Sequence, residues 1–282
     1  MESSLYTFDQ LDDYLYNKTT PIVHKIWFWT IQNILSAKAQ YKALKKYRDS
    51  WVLLNPSFTT VIWTKEHCES LVKKHYPEYL GLWKGYAHEI QRCDFARYFI
   101  LHRYGGIYSD MDYECLLSFE NLYKTWEKDV YFVQSPNHVL ADGDSNISNS
   151  LIVSVKKECL FWKHVFIELD KSKDAYIRFP RHIHVMYSVG PRFLSRVYSD
   201  FKFRFRLGIL PSSNFHPTSL IDDFLPEVIG KRDRTIYATH HSKGSWEKDD
   251  SRFLILAYRA LPMILFILIV MLVPILIVRK FF

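Results

Sequence analysis

Cysteine is scarce in this chain of 282 residues, and its arrangement excludes more than its number does. Cys68, Cys93, Cys115 and Cys159 form no Cys-x-x-Cys pair and no zinc-type spacing, so neither a disulfide framework nor a metal knuckle is indicated. The redox compartment stays open. No run of five or more Lys and Arg makes a basic arm, which argues against nucleic acid as a partner. Met1 to Tyr16 carries Asp9, Asp12 and Asp13 and no uninterrupted apolar stretch, so it does not read as a secretory signal. There is no internal repeat and no low-complexity segment. A Gly-x-x-x-x-Gly-Lys loop is also missing, which excludes the Walker-type phosphate cradle.

What is present fits a globular protein: 48% apolar and 24% charged residues are enough to build a sizeable core. Aromatics reach 17%, with 19 Tyr and 8 Trp, and their rings serve either core packing or stacking on sugars and bases. The formal charge of +7 suits an anionic neighbour, whether nucleic acid, lipid headgroups or nucleotide phosphates, and charge alone does not choose. From Ala260 to Val278 no residue is charged, a stretch of roughly 19 residues that is long enough to cross a bilayer as a helix. It reads as a C-terminal transmembrane anchor, with a buried core helix as the alternative. Pro262 and Pro274 are tolerated in a membrane helix, and Arg252, Arg259, Arg279 and Lys280 sit where they reach headgroups. The expected partition is a catalytic domain over 1–252 and an anchor over 253–282, its span at about 260–278.

Along the chain, Thr20–Thr30 predicts a first strand interrupted by His24 and Lys25, and Ser36–Asn55 a helix stopped at Asn55-Pro56. Phe58–Thr64 returns to strand. Lys65–Tyr76 and Glu89–Arg103 predict further helices, the second stopped by Gly105-Gly106, before Ile107-Tyr108-Ser109 runs as a strand into Asp110. This alternation predicts an α/β fold, with Asp110 at a strand's carboxyl end, where open α/β sheets hold their ligands. Asp129–Gln134 predicts another strand and Asn137–Ser150 a polar loop. Phe201–Leu207 alternates strictly, predicting a half-buried strand whose Lys202, Arg204 and Arg206 are either solvated or meet anionic lipid or an acceptor phosphate.

On a strand end, Asp110 and Asp112 point to one side and share one ligand. Two such carboxylates repel unless a cation sits between them, and Mn²⁺ or Mg²⁺ takes oxygen ligands while keeping positions for phosphate. Asp-x-Asp alone is weak, being common in solvated turns. Asp94 and Arg97, one helical turn apart, are equally readable as a surface ion pair.

The context raises both. Arg92-Cys-Asp-Phe-Ala-Arg-Tyr-Phe-Ile-Leu-His-Arg-Tyr-Gly-Gly-Ile-Tyr-Ser-Asp-Met-Asp112 closely resembles the core signature of glycosyltransferase family 32, which includes inositol phosphoceramide mannosyltransferases and initiating α-1,6-mannosyltransferases. Pro21–Trp27, Asn55–Trp63 and His240-His241-Ser-Lys-Gly-Ser-Trp246 resemble the family as well. The resemblance implies a GT-A fold, a Rossmann-like mixed sheet flanked by helices, here with one C-terminal transmembrane helix. It implies a retaining transfer, a divalent cation, usually Mn²⁺, and a nucleotide-sugar donor such as GDP-mannose. Asp112 would ligate the metal, and Asp110 would hold ribose or reach the metal through water. Asp94 and Arg97 would contact the sugar hydroxyls and diphosphate. Trp27 would lie near the base or pack in the core. His240 or His241 would add a ligand, and Ser245 and Trp246 would close over the phosphates with Gly244 as hinge. The acceptor is expected to be lipid-linked, such as inositol phosphoceramide, or a glycan or protein, on an endomembrane whose side is open. A UDP-hexose donor, an inactive membrane-anchored glycan-binding scaffold and a metal-dependent phosphodiesterase or nuclease are the rival readings.

Overall fold

The structure is a computed structural model that describes residues 6–28, 34–136, 146–217 and 235–241. The expected span at 260–278, the boundary at 252, and Gly244, Ser245 and Trp246 lie outside the described residues. No helix among the described residues is long and apolar enough to cross a membrane. By packing, the chain divides into Met1–Ala175 with Val185–Lys243, and Tyr176–His184 with Gly244–Phe282. Of the second unit, the described residues Tyr176–His184 begin one helix and expose Tyr176, Ile177 and Phe179.

Helix α1 (Phe8–Tyr16) starts with a capping box in which Thr7 and Gln10 bond each other's backbone N–H. Strand β1 (Ile22–Ile26), helix α2 (Ile34–Leu54), strand β2 (Thr59–Trp63) and helix α3 (Lys65–His75) follow. Thr64 caps α3, and Lys73, Lys74 and His75 complement its carboxyl end. Then come α4 (Leu80–Gly85), α5 (Glu89–Tyr104), β3 (Gly106–Ser109), β4 (Tyr113–Cys115), α6 (Glu120–Lys124), β5 (Val130–Gln134) and β6 (Ile147–Ser154). The described chain ends with α7 (Leu160–Ser172), α8 (Arg181–Ser188), α9 (Pro191–Asp200), β7 (Leu207–Leu210), α10 (Ser212–Phe215) and β8 (Ala238–His240).

Six strands form a mixed sheet in the order β2-β1-β3-β6-β5-β7, and β4 pairs with β8 in a separate antiparallel ribbon. The α/β class read from the sequence is therefore what the fold has. Alternation along the strands divides the core between the sheet's two faces. Ile22, Ile26, Tyr108 and Ile152 face a core built with α1, α3, α5, α7 and α9, where Phe95, Phe99 and Phe166 stack at 4.2 and 4.0 Å. Val23, Ile107, Leu151 and Val153 face the other, with Trp51 of α2, Phe119, Phe215 and the ribbon.

Two readings need correction. Phe201–Leu207 is not a strand: Arg204–Arg206 is a 3-10 turn, and only from Leu207 does the chain find a neighbour, pairing with Val130. The alternating aromatics do not share one buried face: Phe201 packs on Phe161 while Phe205 is 71% exposed, and Arg206 is tied to Asp129 at 2.7 Å. The polar loop assigned to 137–150 ends early, since Ile147–Ser150 already belongs to β6.

His24 does not interrupt β1. The Trp63 indole N–H donates to its Nδ1 at 3.1 Å, which leaves the proton on Nε2 to donate to the Gly105 carbonyl at 2.8 Å. Burial pulls this imidazole from its ordinary 6.5 down to about 3. The unfolded chain therefore takes up a proton below pH 6.5 that the folded state refuses, so this contribution is present above 6.5 and is lost as pH falls toward 3. By pH 4 the loss from His24 is expected to reach about 3 kcal/mol. Urea unfolding as a function of pH checks it: His24→Gln should flatten the slope below pH 6.5, and an unchanged slope would refute this assignment.

Candidate active site

Helix α5 ends at Gly105, and Gly105 and Gly106 both take positive φ, at +64° and +87°. Gly106 crosses β1 so closely that a Cβ there would lie 2.3 Å from the Ile22 carbonyl oxygen. This tight reversal lays β3 directly against β1, so the strand delivers Asp110 one residue beyond its end.

Asp110 and Asp112 do not converge as alternate residues of a strand, which corrects the expectation. Met111 and Asp112 form a turn closed by the Tyr113 N–H donating to the Asp110 carbonyl at 3.1 Å, and the Asp110 N–H donates to Ser150 at 2.9 Å. The ribbon completes the arrangement. Pairing of Tyr113 with His240 brings the His240 Nε2 to 3.0 Å from Asp112 Oδ1 and 3.9 Å from Asp110 Oδ2. One ligand atom from each of Asp110, Asp112 and His240 lies within 4.8 Å of the others. The His240 ring stacks on Tyr113 at 5.1 Å and meets the edge of His216 at 5.0 Å. Burial works against its protonation, but the Asp112 hydrogen bond and the charges of Asp112 and Asp110 raise its pKa overall. Two carboxylates and one imidazole fit a divalent cation of the Mn²⁺ type.

His241 is directed elsewhere. Its Nε2 meets Glu114 at 2.6 Å and its ring stacks on Tyr47 at 4.3 Å, while its N–H donates to the Asp112 carbonyl at 3.1 Å. Of the two neighbouring histidines, His240 is the one the geometry brings to the carboxylates.

Behind the turn, Arg97 joins the acidic residues. Its guanidinium lies 2.6 Å from Asp94 and 3.3 Å from Asp110, donates to the Asn149 carbonyl at 2.6 Å, and sits 4.4 Å from the Tyr108 ring centroid. With side-chain exposures of 3% and 6%, Arg97 and Asp94 are a buried pair and not the surface bridge their spacing allowed. Burial pushes the Asp94 carboxyl up to about 7 against the pull of Arg97. Burial also opposes the Arg97 charge, but Tyr108, Asp94 and Asp110 hold it a cation. The Tyr108 hydroxyl donates to Asp110 Oδ1 at 2.6 Å, so this oxygen is tied to the protein and Oδ2 is the one nearer His240.

Trp27 is buried in a cluster with Leu44, Tyr47, Ile62 and Met111, the last of these being the middle residue of the turn. Two participants, His216 and Lys25, were missed by the sequence reading, and a third, Asn149, was placed in a polar loop. Asn149 donates to Asp94 at 3.0 Å; its place in β6 follows from the Ser109–Leu151 register, which no local pattern reveals. His216, buried beside His240 and pulled down to about 3 chiefly by burial, follows α10 and carries no local signal. Lys25 was taken as an interruption of β1. It is fully buried, and its ammonium donates to Ser109 Oγ at 3.0 Å and to the Asp110 carbonyl at 2.9 Å. Burial pulls it down to about 7, while Asp110 and Asp112 pull it back up.

Residues 42–131 match the family described as "Glycosyltransferase sugar-binding region containing DXD motif". Mannosyl phosphorylinositol ceramide synthase CSH1 of Saccharomyces cerevisiae is 31% identical over 56% of this chain and 38% of its own length. Inositol phosphoceramide mannosyltransferase 3 of Schizosaccharomyces pombe is 30% identical over 72% of this chain and 51% of its own. The chain thus spans about half or less of the length of these relatives. Among solved structures, mouse xyloside xylosyltransferase 1 aligns with 81% of this chain and 99% of its own at 9% identity and a TM-score of 0.49.

Proposed function

We propose, from the premise that residues 42–131 are a DXD-containing glycosyltransferase sugar-binding region, that this chain is a retaining, divalent-metal-dependent glycosyltransferase of GT-A type. In this reading it moves a hexose, mannose from GDP-mannose, onto a lipid-linked acceptor such as inositol phosphoceramide, on an endomembrane to which 253–282 anchors it. The observation that carries the reading is the convergence of Asp110, Asp112 and His240 beyond β3. The names of the curated relatives support the sugar and the acceptor.

Asp110, Asp112 and His240 would hold the cation, which when bound neutralises charge building on the leaving nucleoside diphosphate. Protons and a cation would compete for the His240 imidazole, whose hold on a proton Asp112 and Asp110 raise, so acid would weaken the site. Asp94, fixed by Arg97 and Asn149, would accept a hydroxyl of the transferred sugar. Arg97 spends its donors on protein oxygens, so its part is to hold Asp94 and Asp110 in register. Trp27, beside Met111, would border the base. An acceptor hydroxyl would attack the anomeric carbon on the face the diphosphate leaves. None of the named carboxylates is needed as a covalent nucleophile.

Thermal melting of the full chain in detergent tests the reading, because a ligand that binds only the folded state raises the melting temperature by mass action. With Mn²⁺ present, GDP-mannose at a hundred times its dissociation constant should stabilise the protein by about 2.7 kcal/mol, and without the cation by much less. A shift with UDP-glucose or UDP-galactose instead would reassign the donor. No shift with any of the three would sink the enzyme reading in favour of an inactive scaffold.

A further inference from the structure

A loop that carries two carboxylates side by side needs a reason to keep its shape when no cation is bound. Acidic metal loops commonly gain order from the metal itself, and the cost of ordering then comes out of the affinity. Here the carbonyls of the turn are occupied from within the chain. The Asp110 carbonyl accepts from both the Lys25 ammonium at 2.9 Å and the Tyr113 N–H at 3.1 Å. The Asp112 carbonyl accepts from the His241 N–H at 3.1 Å, and the Tyr113 carbonyl from the Trp51 indole N–H at 2.8 Å.

Lys25 and Trp51 also support each other, with the ammonium 5.4 Å from the centroid of the Trp51 ring. Both side chains are fully buried, so water does not compete for the hydrogen bonds they donate to the turn. The same end of α2 fixes the chain just beyond the turn. Ser50 Oγ accepts the Cys115 N–H at 2.9 Å and Asn55 Oδ1 accepts the Phe119 N–H at 2.6 Å. Beneath the carboxylates, then, a strand residue from β1 and a helix residue from α2 grip the carbonyls at the two ends of the turn, Asp110 and Tyr113. The buried positive charge of Lys25 lies under the acidic pair and offsets part of its self-repulsion.

We propose that Lys25 and Trp51 are positioning residues that hold the Asp110–Tyr113 turn in its ligating shape before any cation arrives, so that binding fills a formed site instead of folding one. The cation assigned to the site above enters only as a probe. Preformed ligands cost no ordering on binding, and truncating either support makes the cation do that work.

Hydrogen exchange on the full chain in detergent, stripped with EDTA and then supplied with Mg²⁺, tests this at the Tyr113 and His241 amides, both bonded within the turn. In the unmutated protein these amides should be protected without metal and change little when Mg²⁺ is added. In Lys25→Met they should exchange about tenfold faster or more in the metal-free state, the loss expected for one buried hydrogen bond, and slow again with Mg²⁺. Amides of the β1–β2 ladder should be unaffected, a pattern that general destabilisation would not produce. Should Lys25→Met fail to fold, Trp51→Phe removes the indole N–H, keeps an aromatic side chain, though a smaller one, and leaves the charge unchanged, and the same local loss is expected. If variants lose protection but Mg²⁺ restores none, the positioning role stands and the cation assignment falls. The proposal is overturned if the unmutated metal-free protein exchanges at these amides as fast as the variants, or if both variants stay fully protected.

Discussion

Asp112→Ala is expected to lower the rate of sugar transfer at saturating Mn²⁺ by about a thousandfold, with the metal-free melting temperature changed by no more than a few degrees. The size follows from the role proposed for the cation: the charge on the leaving diphosphate grows in the transition state beyond that of the bound donor, so loss of the cation appears in the rate as well as in donor binding. Asp112 is the cleaner of the two carboxylates to remove. Asp110 Oδ1 also accepts from Tyr108 and faces Arg97, so Asp110→Ala would leave a buried guanidinium short of one partner and confuse catalysis with stability. Asp112, by contrast, meets His240 at the mouth of the turn. Initial rates and thermal melting on the same preparation check this. Activity within tenfold of the unmutated protein would mean that the turn does not hold a catalytic cation.

A second substitution should act on the fold itself. Gly106→Ala is expected to destabilise the protein by about 4 kcal/mol or more, a large part of the stability of a typical domain. Its φ of +87° is one that L side chains rarely adopt, and the added carbon would lie 2.3 Å from the Ile22 carbonyl oxygen and 3.2 Å from two further backbone atoms. Relief would require β1 and β3 to part, yet Val23 is paired with Ile107 and His24 with Tyr108 across that seam. Gly81→Ala is the control. It lies in α4 with nothing within 4 Å of the new carbon, and there the change should be neutral or stabilise by up to about 1 kcal/mol. Urea unfolding of the pair decides it, and equal midpoints would refute the close-approach argument.

What the sequence revealed was local. The run from Glu89 to Ser109 showed a helix, a glycine stop and a strand because each signal lies within a few residues of the element it governs. Lys25 and His24 looked like breaks in a buried strand, since a charged or titratable residue is costly in a core without partners. Of their partners, Trp63 lies 39 positions away and Gly105, Ser109 and Asp110 more than eighty, so the compensation was invisible. The choice between His240 and His241 rested on the register of β4 with β8, again a distant pairing. Asn149 was lost in a segment read as loop because its polar composition outweighed the strand it enters. Phe201–Leu207 failed in the opposite sense: a perfect local alternation was present, but no strand lay alongside until Leu207.

The ribbon that supplies His240 pairs residues 128 positions apart in its Asp112 contact, and all six strands of the large sheet are complete by Leu210. During synthesis, all six strands of the sheet therefore leave the ribosome before β8 does. Such a nascent chain carries both aspartates of the turn but neither the imidazole nor the His241 N–H that caps the Asp112 carbonyl. The sheet and the proposed ligand set thus emerge at different moments of translation, and a chain cut short before Ala238 would contain every strand of the sheet but not His240.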